Sequence, residues 1–141
     1  MKEERTFKVL VFYTDERIFK EVNLPLDGWF DKVKEVAEIG FAVYEKVRIK
    51  GHDYSILVDD DACWSNSIPS VISYNCDSVR FIGNIAFIPD EHVNRDGFTV
   101  FDRYLTDKDF ENIKSSIKII NTLNHGIIGA IREDEKEEDY E

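Results

Sequence analysis

Residues 7–13 are apolar at nearly every position, whereas residues 41–50 alternate between apolar and polar, and this contrast separates two kinds of strand. A run without alternation fits a strand covered on both faces, so 7–13 is expected to be central in its sheet. Polar residues 14–17 read as a turn into a second strand at 18–22, which makes a hairpin. After Leu24-Pro25 the period changes. Leu26, Trp29, Phe30, Val33, Val36 and Ala37 recur at spacings of three and four, which predicts an amphipathic helix over 27–39 with Asp27 as N-cap and Gly40 as its stop. In 41–50, Phe41, Val43, Val47 and Ile49 fall on one face and Tyr44, Lys46, Arg48 and Lys50 on the other. A turn at 50–53 then leads into 54–58, a second hairpin.

The stretch 59–76 mixes Trp64 and Pro69 with several Ser and Asn, and reads as a long connection with one helical turn near 68–73. Residues 78–88 form another strand, interrupted at Gly83-Asn84, where a bulge or close backbone approach is expected. A polar loop at 89–97 and a short apolar run at 98–101 follow. Thr106 then caps a helix, with Asp109 as an acidic variant of the capping box and Leu105 with Phe110 as a hydrophobic staple. Ile113, Ile117 and Ile120 carry the apolar stripe toward His125-Gly126. An order of β-β-α-β-β-loop-β-α, without strict βαβ alternation, predicts an α+β fold with a mixed, mostly antiparallel sheet and two main helices packed on it. Residues 1–131 are expected to form one domain and 132–141 a disordered acidic tail.

Composition narrows the classes. The chain has 141 residues, of which 43% are hydrophobic, enough for one core. The apolar run at 9–13 is too short for a signal-peptide core or a bilayer span, so a cytoplasmic location is expected. Cys63 and Cys76 form no C-x-x-C and are expected to be reduced structural thiols. Net charge is −11; the last ten residues hold seven acids and two bases, so they carry −5 and leave −6 on the body. An acidic body disfavours nucleic acid and anionic membranes, both of which are bound through Lys and Arg, and leaves a protein as the expected partner.

Several residues invite a chemical reading. Asp59, Asp60 and Asp61 follow a strand, where converging carboxylates bind Mg²⁺ or Ca²⁺. The Gly and Glu of an EF-hand loop are missing, and adjacent side chains on an extended chain point opposite ways, so a solvated acidic turn is the simpler reading. Tyr44, Lys46 and Arg48, with Lys50, form a stripe suited to an anionic ligand or an acidic partner, unless they pair across the sheet with Glu16 or Glu21. Trp29 and Trp64 read as a core residue and a loop anchor. His52, His92 and His125 are far apart in sequence, and a Cys–His pair would require the fold to join them. G-x-S-x-G, H-E-x-x-H, P-loop and G-x-G-x-x-G patterns are all missing, so neither an enzyme nor a cofactor is expected. The expected partner-binding set is Asp59, Asp60, Asp61, Trp64, Tyr44, Lys46 and Arg48. The alternative is a small metal- or ligand-binding enzyme using Asp59 to Asp61 with a loop His or Cys.

The Phe-Lys-Val-Leu-Val strand at 7–11, Ile-Gly-Phe-Ala-Val-Tyr at 39–44, Tyr-Ser-Ile-Leu-Val-Asp at 54–59, Phe-Ile-Gly-Asn-Ile-Ala-Phe-Ile at 81–88 and Leu-Thr-Asp-Lys-Asp at 105–109 carry a resemblance. Over about residues 6–120 the chain resembles a domain-of-unknown-function family of Gram-positive phages, plasmids and mobile elements, sometimes near antirestriction genes. This chain has Ile39-Gly40 where that family usually has Gly-Gly. The resemblance implies a phage or mobile-element accessory protein; with the missing catalytic motifs and the acidic surface, it leads to the expectation of a non-catalytic protein that binds a host or phage protein, such as a nucleic-acid-processing or defence enzyme, through that acidic surface. It implies no catalytic residue.

Overall fold

In the computed structural model, which describes residues 5–62, 68–97 and 99–135, the apolar run at the N-terminus is strand β1, Thr6–Tyr13. It pairs antiparallel with β2 (Ile18–Pro25) through the expected hairpin. On its other side lies β7, Ile85–Ile88, followed by β4 (His52–Asp59) and β3 (Ala42–Ile49), giving a five-stranded antiparallel sheet in the order β2-β1-β7-β4-β3. A second sheet has the order β10 (Ile117–Thr122), β11 (Gly126–Arg132), β5 (Pro69–Ile72), β6 (Val79–Ile82), and β11 runs parallel to β5. Strands β8 (Asp90–Val93) and β9 (Thr99–Arg103) form a separate two-stranded ladder. The helices are α1 (Trp29–Ala37) and α2 (Asp107–Lys114).

The fold is α+β and mostly antiparallel, but strands dominate it and the two helices do not share one sheet face. The five-stranded sheet is apolar on both faces, so each face needs its own cover. Phe7, Val9, Val11, Leu57, Ala86 and Ile88 face α1, which contributes Val33 and Ala37, with Phe101 of β9 beside them. Leu10, Phe12, Tyr54, Ile56, Ile85 and Phe87 face the other way, against Val71 and Ile131 of the second sheet and Phe110 and Ile113 of α2. Full burial of such side chains contributes about 1.5–3 kcal/mol each, so both layers hold the central strands.

Several expectations are corrected. Helix 27–39 is shorter, Trp29–Ala37, because Gly28 rather than Asp27 is the N-cap, and Glu38, not Gly40, takes the left-handed stop at φ 59. The helical turn expected at 68–73 is strand β5, wholly buried between β11 and β6. The single strand expected at 78–88 is two strands in different sheets. At the junction, Gly83 has φ +81, and a Cβ there would stand 2.8 Å from that of Ala62, the expected close approach. The loop at 89–97 contains β8. The capping box is present as expected, with Thr106 and Asp109 reciprocally bonded, but α2 stops at Lys114. Ile117 and Ile120 belong instead to β10, because residues 117–132 pair as a hairpin across the turn at 123–125. Residues 132–134, assigned from sequence to the tail, are tied to the body: Glu133 is buried and ion-paired to Arg80 at 2.8 Å, and the amide of Asp134 donates to the carbonyl of Arg48 at 2.7 Å. Residues 136–141 lie outside the described residues. No described helix is long and apolar enough to cross a membrane.

Candidate functional site

Strand β3 is the last strand of its sheet, and its free side is set by the register of the β3–β4 hairpin. Lys50 and Gly51 form the two-residue turn, with φ 49 and 84, the left-handed pair that suits the twist of a tight hairpin. Beyond it the register runs unbroken from Ile49 opposite His52 to Ala42 opposite Asp59. In such a ladder alternate residues bond to the partner strand and the rest face away. The amide of Asp60 donates to the carbonyl of Phe41, and the carbonyl of Arg48 accepts from Asp134 rather than from β4. The odd-numbered residues of β3 therefore face β4, and Ala42, Tyr44, Lys46 and Arg48 turn their peptide groups outward. Asp134 closes one end of this edge, its carboxylate accepting from the amides of Lys50 and Gly51 at 2.8 and 2.6 Å. Ala42, Tyr44 and Lys46 form the stretch beyond it, and no described strand other than β4 pairs with β3.

Side chains frame this edge on both faces. On the α1 side, the Tyr44 ring lies 5.8 Å from that of Phe30 and is half exposed. Burial, and then the Glu91 carboxylate against its hydroxyl, hold the phenol well above the ordinary tyrosine range. Tyr44, Glu45, Lys46, Ser55 and Glu91 line an open groove of about 510 Å³. Its base is fixed where the Ser55 hydroxyl donates to Asp90 at 2.9 Å. Glu91 Oε2 is buried and has no hydrogen-bond partner among the described residues. On the face toward the second sheet, an open groove of about 330 Å³ separates Val43 and Val58 from Val79 and Phe81 of β6, the edge of that sheet. Arg80, which borders it, is already ion-paired to Glu133 and stacked on Phe81.

The residues singled out from sequence meet different fates. Tyr44, Lys46 and Arg48 do share one face of β3. Glu16 and Glu21 are not their cross-strand partners, because the β1–β2 hairpin is at the opposite edge of the sheet; Lys46 stands opposite Ser55 and Arg48 opposite Asp53, while Glu21 pairs with Lys114 at 2.9 Å. Lys50 hydrogen-bonds Ser115. Asp59 is a loop clamp: its carboxylate accepts from the amides of Gly40, Phe41 and Asp61 at 2.9, 3.4 and 2.9 Å. Burial alone would raise its pKa, but these donors and Lys34 outweigh it and hold the carboxyl below its usual value. Asp60 and Asp61 are exposed. Cys63, Trp64 and the His92 side chain lie outside the described residues. His52 ends its hairpin in solvent, His125 sits half-buried in the β10–β11 turn, and Cys76 is half-buried in the loop before β6. Among the described residues no cluster of three or more His, Cys, Asp or Glu is arranged to hold a metal.

Glu91, Glu45 and Ser55 were not found from sequence. Glu91 fell in a stretch read as loop, and Ser55 is one small polar residue in an otherwise apolar strand. No protein-family model matches the chain, and neither does any curated protein or solved structure.

Proposed function

We propose that this protein is a non-catalytic binding domain that engages another protein through the open edge of β3. The observation that carries the reading is the run of outward peptide groups at Ala42, Tyr44 and Lys46 beside a half-exposed tyrosine. An unpaired edge is a template for a strand from another chain, and natural edges are usually blunted by charge, bulges or a covering element. Here the stretch carries the charges of Glu45 and Lys46 but is regular and unbulged, no described strand covers it, and Asp134 closes only its far end. The acidic body favours a protein over nucleic acid, and the resemblance over residues 6–120 supports a phage or mobile-element setting in which the partner is a host or phage protein, such as a nucleic-acid-processing or defence enzyme. The metal-dependent alternative draws no support from Asp59, whose oxygens are occupied by backbone amides.

The test uses matched baits in lysate of a Gram-positive host. Wild-type protein and a Tyr44→Asp, Lys46→Pro double variant are compared, since Pro on the outward side of an edge strand removes a free donor without cutting the β3–β4 ladder. A protein retained by the wild type and lost by the folded variant is the expected result. Equal retention by both, or no specific retention, contradicts the proposal.

A further inference from the structure

We infer that the edge of β3 accepts an extended peptide segment alternating apolar and basic side chains, added to the five-stranded sheet as a further strand. This rests on the binding-domain reading above and names the chemistry of its partner. A strand laid along Ala42 to Lys46 bonds to their outward peptide groups and sends successive side chains to opposite faces of the sheet. The two faces differ. Toward the second sheet the groove is lined by Val43, Val58, Val79, Phe81 and Ile82, which offer apolar contact, with Val79 half exposed, and it is bordered by Glu45, Asp59, Asp60 and Arg80. Arg80 offers no free cation there, being ion-paired to Glu133.

Toward α1 the side chains of Tyr44, Lys46, Ser55 and Glu91 line the groove, and Glu91 is its carboxylate, facing the ammonium of Lys46. Glu91 Oε2 is the telling atom, since a buried carboxylate oxygen without a donor is costly until one arrives. An Arg or Lys side chain from the added strand supplies that donor and the complementary charge. The valine, isoleucine and phenylalanine side chains in one groove and the donorless Glu91 Oε2 in the other therefore favour apolar and basic side chains in alternation.

The test is fluorescence anisotropy with the full chain and a short dye-labelled peptide alternating Val and Arg. Comparison peptides carry Glu for Arg, or N-methyl groups along the bonding edge. Saturable binding of the Val/Arg peptide is expected, weakened roughly tenfold or more by either change. Glu91→Gln should weaken it to a similar degree, and Lys46→Pro more than Lys46→Ala, which keeps the outward amide. Absence of saturable binding, equal binding of the Glu peptide, or indifference to Glu91→Gln overturns the inference. If a protein captured from lysate still depends on the β3 edge, only the peptide chemistry has failed. If Lys46→Pro leaves that capture intact as well, the binding-edge reading falls with it.

Discussion

Asp109 shows how much one side chain carries. It closes the capping box with Thr106, accepts from the Tyr54 hydroxyl at 3.1 Å and ion-pairs with Arg103 at 3.1 Å, joining α2 to β4 and β9. Burial pushes its pKa up, but the Thr106 amide and hydroxyl, Tyr54 and Arg103 together hold it below the usual carboxylate value. A carboxylate with a depressed folded pKa stabilises above its unfolded pKa and loses that contribution as pH falls through the folded value. Asp109→Asn should therefore cost about 2 kcal/mol at neutral pH and flatten the acid limb of stability below about pH 4, as read by urea denaturation across pH. The Arg103 side chain is half exposed, so Arg103→Ala should cost less, about 1 kcal/mol or under. Gly83 gives a second test. Ala there must adopt φ +81 and place its Cβ against Ala62, whereas Gly51, at φ +84, faces open space. Gly83→Ala should cost more than Gly51→Ala, which carries only the backbone strain of about 1 kcal/mol.

Among the elements, those with local signatures were legible in the sequence. β1 was readable as a doubly covered strand from its unbroken apolar run, and α2's start from Thr106 and Asp109. Residues 117–132 were not, because Ile113, Ile117 and Ile120 mimic helical spacing, while the competing signal, β-branched residues flanking a turn that needs Gly126 at φ +68, becomes decisive only once β11 docks beside β5. β3 was legible as a two-faced strand but not as an edge, since that status depends on β7 inserting between β1 and β4, a pairing of residues far apart in sequence. The docked end of the chain was hidden by its acidity: Glu133 and Asp134 resemble a solvated tail until Arg80 and the 50–51 turn receive them. A chain ending at Arg132 should accordingly be less stable than one ending at Glu135 by about 2 kcal/mol or more, and Asp134→Ala should account for about half, measured as shifts in urea midpoint. Equal midpoints would mean that these contacts contribute nothing.

For the whole molecule, charge sets the kind of partner and the sheet edge sets the place. With −11 overall, duplex DNA should show no saturable binding at about 150 mM salt, where exposed charges are screened beyond about 8 Å. A basic alternating peptide should bind more weakly as salt rises, though not vanish, because its backbone bonds and apolar contacts are insensitive to screening. The open edge itself is tested most directly by residue-resolved amide hydrogen exchange on the free protein. The amides of Val43, Glu45 and Val47, bonded to β4, should exchange slowly, and those of Tyr44 and Lys46 far faster, in strict alternation. Slow exchange at Tyr44 and Lys46, matching their neighbours, would show the edge to be already covered and would contradict β3 as the binding surface.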